Sequence, residues 1–592
     1  MALKNKAVGA HFLIEETEKS SLVTPEDFSD EQRMFAETTR SFIEKEVVPK
    51  DEAIESLDYG LTVNLIRKAG ELGLVAADVP EAYGGLGADK VSSTLITESL
   101  AKGSSFSLSV SAHSGIGTLP IVFFGNDAQK KKYLPDLASG TKIAAYCLTE
   151  PSSGSDALSA KTTAKRSKDG KYYILNGEKQ FITNAGFADI FIVYAKIEGK
   201  DFTTFIVERT MEGVSLGPEE KKMGIKGSST RPVILENVKV PAGNLLGEAG
   251  KGHVIAFNIL NIGRFKLAAG VLGSAKEAIR LSATFANERT QFKKLISSFP
   301  LIRRKLADMN VRTYTLESMV YRTSGLIDGA LKDLDYSSSD IGWQSAKGIA
   351  EYAIECSINK VFGSETLDFV ADEGLQIHGG YGFTKDYKIE RIYRDSRINR
   401  IFEGTNEINR LVVMSTLQKK AVKGELPLLE KANTLKDEIE DLLENRPTDG
   451  FLKQETYLVS AAKKLFLLVL GLAYRKYGLN LQKEQQLLSH LSDLVIQIYA
   501  MESVLLRTMK RLEKLGSEKA ENGLDMMRLA IFEGFDKTES LVKEALAHLE
   551  EGEALIRRLA SVQKIAYRLP IDAIRLKGRI GMRVAEASRY IV

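Results

Sequence analysis

At 592 residues the chain is too long for a single hydrophobic core, so several domains are expected. Its 81 basic and 78 acidic side chains leave a formal charge of +3, too even a balance for a general nucleic-acid binder. Two cysteines, Cys147 and Cys356, and six scattered histidines supply neither a disulfide framework nor paired metal-ligand spacing, so we expect a reducing compartment and no metal.

The amino-terminal stretch opens Met1-Ala2-Leu3-Lys4 and soon carries Glu15, Glu16 and Glu18. It has neither the apolar core of a secretory signal nor the Arg-rich, acid-poor character of a transit peptide. The longest apolar run, Leu465 to Ala473, is shorter than a bilayer span. A cytoplasmic protein is expected.

Residues 1–142 read as a helical domain, in which Asp30 caps a helix carrying Phe35, Thr38, Thr39 and Phe42 at three- and four-residue spacing. Pro80 to Gly87 is a glycine-rich loop, and the lysines of Gln129 to Tyr133 form a solvated helix face. Residues 143–250 change texture. Short β-rich runs at Ala144–Leu148, Tyr172–Leu175, Ile190–Tyr194, Thr204–Val207 and Pro232–Leu235 are separated by turns, notably Asp169-Gly170 and Asn176-Gly177. No βαβ alternation is present, which excludes a Rossmann arrangement. Residues 251–423 return to helix, around Ile255–Arg289, Leu301–Leu331 and Ser345–Gly374. A polar connection from Lys423 to Gly450 leads to a last helical domain, 424–592, punctuated by Gly478, Gly516 and Pro570. The class is α+β, mainly α.

The stretch Arg394 to Arg410 holds Glu403 between Phe402 and Gly404. An apolar neighbour raises a carboxylate's pKa, as suits a general base, and glycine admits substrate close to a backbone N–H. An ordinary solvated turn has the same composition. Four further stretches combine groups able to hold a ligand. Tyr146 to Asp156 is a strand running into a Ser/Gly loop rich in hydroxyls and amides. Gln180 to Gly186 ends a strand with Phe181 and Thr183, an aromatic beside a hydroxyl. Asn287 to Phe292 places Arg289 at a helix end, and Gln376 to Phe383 is a glycine-rich turn with no preceding strand.

Taken together, Tyr-x-x-Thr-Glu-Pro-x-x-Gly-Ser-Asp from Tyr146 and Ile-Phe-Glu-Gly-Thr-Asn-Glu-Ile around Glu403 resemble the acyl-CoA dehydrogenases, with the motifs in the family's order from about residue 28 to 420. The resemblance implies a helical N-terminal domain, a middle β-barrel or sandwich and a C-terminal four-helix bundle, here with an extra helical domain. It implies FAD, with Glu403 removing the substrate α-proton while a β-hydride leaves to the flavin. Tyr146, Leu148 and Thr149 would wrap the flavin, with Thr149 at the ring edge. Phe181, Ile182 and Thr183 would cover the ring, with Thr183 at N5. Ser155 would sit near the phosphates and the CoA. Arg289, Gln291 and Phe292, with Gln376, Gly379 and Gly380, would reach the FAD of a neighbouring subunit. Thr405 and Glu407 match further FAD contacts, Glu407 standing where glutamine is more usual. Asn261, Arg264 and Gly404 match substrate-contacting positions.

Lys221 to Ser228, Leu260 to Phe265 and the C-terminal extension look most like the very-long-chain branch. Some relatives carry the base just before the arginine matching Arg264; this chain has Gly263 there, which leaves Glu403 as the one matching base. Small residues at Ser107, Ser109, Ser111 and Ala112 leave room for a long acyl tail, though a helix-packing seam explains them equally well. The resemblance also implies a homodimer and an electron-transferring flavoprotein as acceptor. An oxidase passing electrons to oxygen and a non-enzymatic scaffold are the alternatives. Nine Lys or Arg from Leu555 to Val592, against Asp572 and Glu586, suit peripheral contact with anionic lipid or helices packed on the core with basic ends outward.

Overall fold

In the computed structural model, which describes residues 8–335, 338, 340–435 and 450–592, the first long helix runs Asp30–Phe42. Its cap is Ser29 rather than Asp30. Ser29 Oγ accepts the Gln32 N–H at 3.1 Å and Gln32 Oε1 accepts the Ser29 N–H at 3.0 Å, a reciprocal capping box. Asp30 falls instead in the first turn, where its charge favours the positive helix end. The helices Tyr59–Glu71 and Lys90–Leu100 follow, and the second packs on the later bundle helices.

The middle region is an eight-stranded sheet: β1 Ala144–Cys147, β2 Thr163–Arg166, β3 Tyr172–Thr183, β4 Ile190–Ile197, β5 Asp201–Glu208, β6 Val214–Leu216, β7 Thr230–Pro241 and β8 Leu245–Leu246. The order is β6-β7-β3-β2-β4-β5-β8, with β1 alongside β4; β1 and β2 run parallel to β4, while the other pairs are antiparallel. Asp169-Gly170 makes the expected β2–β3 turn, with Gly170 at φ +72°. Asn176-Gly177 does not turn. It lies inside β3, where the pairing with β7 slips between Leu175 and Gly177; a Cβ at Gly177 would sit 2.8 Å from Thr162 Cα.

Helices Gly252–Glu288, Pro300–Leu331, Ala353–His378 and Asn406–Val422 form the bundle that carries the site. The single helix expected around 345–374 is two, Ile341–Ala350 and Ala353–His378, broken at Glu351-Tyr352. The connection expected from Lys423 to Gly450 falls partly outside the described residues. Beyond it lie Lys453–Tyr477, Gln485–Leu549, Gly552–Ala566 and Ala573–Ala587, with Gly516 (φ +79°) interrupting the longest. Helical segments at Ser105–Phe124, Gly252–Glu288 and Lys453–Lys483 are long and apolar enough to cross a membrane, yet about 70% of each apolar window is buried inside the molecule.

Charge joins the extension to the rest. Fully buried Arg507 donates to Glu26 Oε1 at 2.9 Å and to Glu317 Oε2 at 2.7 Å, and Arg511 reaches Glu26 at 2.6 Å. The flanking guanidinium groups hold the Glu26 carboxyl down to about 2 against the opposing cost of burial. Removing one partner of such a cluster strands a buried charge. Arg507→Met is expected to lower stability by about 3–5 kcal/mol, read by denaturant unfolding. The basic C-terminal helices are also engaged: Lys577 pairs with Asp308 and Glu533 at 2.8 and 2.6 Å, and Arg579 and Arg583 with Asp525 at 2.6 and 3.1 Å.

Candidate active site

A cavity of about 200 Å³ opens where the N-terminal helices, the sheet edge and the bundle meet. Glu403 stands in its wall, on the turn before Asn406–Val422. Glu403 and Gly404 are both left-handed, at φ +58° and +80°. That geometry is costly for a non-glycine residue and here aims a carboxylate inward. Glu403 Oε2 is shut from solvent with no hydrogen-bond partner, and among the described residues no backbone acceptor meets the Glu403 N–H. Burial pushes the Glu403 carboxyl up to about 7, with Arg264 and Lys360 pulling the other way. A group lifted above its unfolded pKa is protonated at low pH and becomes a base only as pH rises through 7. The rate of proton abstraction should therefore climb across about pH 6–8 and level off above it, as a pH series of kcat/KM would read.

Gly263 is what gives this carboxyl its place. A Cβ there would lie 2.8 Å from Glu403 Cδ, inside contact distance. One turn position on, Arg264 donates to the Glu403 carbonyl at 3.2 Å and to Asn261 Oδ1 at 3.0 Å; both side chains are buried, under the Glu403 turn. Asn261 and Arg264 thus hold the backbone of the loop. Asn409 Nδ2 adds bonds to the carbonyls of Gly404 at 2.9 Å and Thr405 at 3.0 Å. Thr405 Oγ1 accepts the Ile408 N–H at 3.2 Å as the helix cap, and Glu407 is exposed.

From Glu403 the cavity follows the Gly252–Glu288 helix past Gly263, Leu267, Gly270, Ser274 and Glu277. Fourteen residues at about 1.5 Å each give a length of about 21 Å. Ser107, Ser111 and Ala112 line the opposite wall; Ser109 does not, its backbone carbonyl instead accepting the Asn184 amide at 2.9 Å.

Of the expected flavin residues, Thr183 lines the cavity that Glu403 lines. Phe181 is 60% exposed at φ +57°, Ile182 and Leu148 are buried, Thr149 is half-buried, and Ser155 is exposed in the loop after β1. The Tyr146 hydroxyl is buried with no hydrogen-bond partner. An unsatisfied hydroxyl, an uncovered aromatic ring and the Thr183 hydroxyl fit a flat, polar-edged ring system such as a flavin. A second group lies away from the cavity. Arg289 stacks over Tyr381 at 5.2 Å, which brings Arg289, Gln291 and Phe292 onto one patch with Gln376, Gly379 and Gly380. Phe292 and Phe383 are each 87% exposed there, and Cβ atoms at Gly379 and Gly380 would meet nothing within 4 Å. Such an uncovered aromatic and glycine surface fits a ligand or a second chain.

Sequence reasoning missed Lys360, Asn406 and Asn409. Lys360 Nζ donates to the Gly404 carbonyl at 2.7 Å and to Asn406 Oδ1 at 2.8 Å. A lysine in a helix buried on every side leaves no periodic trace.

The comparisons agree with this geometry. Models of the acyl-CoA dehydrogenase N-terminal, middle and C-terminal domains match residues 29–141, 145–238 and 250–418, and a further acyl-CoA dehydrogenase C-terminal domain model matches 461–564. A probable acyl-CoA dehydrogenase of Bacillus subtilis is 55% identical over 99% of this chain and 98% of its own. The human very long-chain specific acyl-CoA dehydrogenase is 38% identical, over 83% of this chain and 76% of its own. A crystal structure of an acyl-CoA dehydrogenase complexed with FAD from Bacillus anthracis superposes with a TM-score of 0.97 at 54% identity, covering 99% of this chain and all of that one. A chain matched along nearly its whole length by the family's domains, with a buried carboxylate facing a hydroxyl-edged cleft, belongs to the acyl-CoA dehydrogenase family and is an FAD-dependent oxidoreductase.

Proposed function

We propose that this protein oxidises saturated long-chain acyl-CoA to the trans-2-enoyl-CoA in fatty acid β-oxidation, in the cytoplasm, as a homodimer that passes electrons to an electron-transferring flavoprotein. The observation that carries the chain length is the cavity beside Glu403. An extended acyl chain advances about 1.3 Å per carbon, given C–C bonds of about 1.5 Å, so about 21 Å holds about 16 carbons.

The residues act as follows. The apolar tail lies along Leu267 and Val271 and expels water, which strengthens every charge interaction near the thioester. The Glu403 N–H, left without a protein acceptor, donates to the thioester oxygen as it gains enolate character. The Glu403 carboxylate takes the α-proton onto an oxygen that has no competing hydrogen bond. Bound FAD would be held by Thr183, Thr149, Tyr146 and Ser155 and supplies the acceptor for the β-hydride. The exposed patch around Arg289 and Gly379 suits a partner subunit's cofactor, which supports the dimer.

Anaerobic titration of the enzyme with acyl-CoAs of graded length, followed by flavin absorbance, tests the substrate. Full bleaching that is fastest near 16 carbons is expected; a preference for four to six carbons would overturn the chain-length assignment.

A further inference from the structure

We propose that Lys360 is a positioning residue for this reaction: its buried ammonium grips the Gly404 carbonyl and Asn406 Oδ1 and so fixes the left-handed Glu403-Gly404 pair that aims the base. The inference rests on Glu403 being that base.

Lys360 is completely buried in the middle of Ala353–His378. A buried ammonium is expensive and normally sits against a carboxylate. Among the described residues Lys360 has no carboxylate within ion-pairing distance; its bonds at 2.7 and 2.8 Å go to a neutral carbonyl and a neutral amide of the catalytic turn. Asn406 is oriented for this by Ser364 Oγ, which donates to the same Oδ1 at 3.2 Å, while its own Nδ2 donates to Glu365 at 3.2 Å. Besides Asn409 of the helix that follows it, the turn is thus pinned from two further helices. Arg264, from Gly252–Glu288, holds the Glu403 carbonyl, and Lys360 holds the next carbonyl, that of Gly404.

Both cations also act through space. The charged groups acting on Glu403 are Arg264 and Lys360; those acting on Lys360 are Glu403, Arg264, Glu407 and Glu365; Tyr146 and Cys356 bear on Arg264. Burial pulls Lys360 down to about 7 and pushes Glu403 up to about 7, while against that cost the charge of each favours the charged form of the other. Removing the lysine leaves the Gly404 carbonyl with Asn409 Nδ2 alone and removes one of two charges that favour a carboxylate at 403.

The test is Lys360→Met, with Lys360→Gln as a variant that keeps a donor, in the flavin-loaded enzyme. The pH profile of kcat is expected to move up by about one unit. Plateau kcat should fall about tenfold or more while KM changes less than about threefold. Hydrogen–deuterium exchange across residues 402–409, a readout independent of turnover, should accelerate. An unmoved profile with unchanged exchange overturns the proposal, whatever happens to the melting temperature. So does failure of both variants to fold, which would assign Lys360 to the fold alone. Full activity of Glu403→Gln would instead remove the reading on which the proposal rests, a result distinct from either.

Discussion

Glu403→Gln is expected to keep FAD and acyl-CoA binding while losing turnover by at least about 10³-fold, because general-base catalysis is worth about 10²–10⁴ and no second carboxylate takes its place. The reason is local. Gly263 offers no acid, and the cavity's other carboxylates are committed elsewhere: Asp395 accepts the Ile225 N–H and Glu277 pairs with Arg280. The same variant should be more stable above neutrality. Burial raises the Glu403 pKa from 4.5 to about 7, so folding favours its protonated form. The stability this lends is present at low pH and lost as pH rises through 7. Glutamine carries no such penalty, and the variant should gain up to about 3 kcal/mol at pH 8 while matching wild type near pH 4. Melting curves at the two pH values, beside steady-state kinetics, check both halves.

Gly270→Leu should shift the preference of the enzyme toward shorter acyl chains. Gly270 lines the cavity between Leu267 and Ser274, and a Cβ there would meet no atom within 4 Å. Seven residues separate it from Gly263, so the plug would stand about 10 Å from the base. Acyl chains that end before it lose nothing, whereas a chain of about 16 carbons must displace a packed leucine. Burying one side chain of that size is worth about 1.5–3 kcal/mol, so kcat/KM for the long substrate should drop about 10- to 150-fold with the short one unchanged. Kinetics with two acyl-CoAs of different length measure the ratio directly.

How much of this was legible in the sequence varies with the range of the interaction. Glu403 and Thr183, which line one cavity, each lie in a short local pattern whose residue types suit the proposed chemistry. The alternation of β-rich runs with turns placed the strands, but Asn176-Gly177 looked like a turn and is a bulge. Its role is set by Thr162 and the pairing with β7, which local sequence does not contain. Asp30 and Ser29 are equally good caps on paper; the reciprocal bond to Gln32 decides for Ser29. The docking of the N-terminal arm was invisible, since Glu26 and Arg507 are 481 residues apart. Lys360 was hidden for a different reason. Ala353–His378 buries Glu355, Ser357, Asn359 and Ser364 as well, so polar residues no longer mark a solvent face. The basic C-terminal helices likewise read as free charge until their ion pairs with Asp308, Glu533 and Asp525 were seen.

The most direct test of Glu403 as the base bypasses electron transfer altogether. An acyl-CoA with no hydrogen on its β-carbon is incubated with the enzyme in D₂O, and α-deuterium incorporation is followed by mass spectrometry. Wild type should exchange the α-hydrogens and Glu403→Gln should not; equal exchange by the two proteins would contradict the assignment.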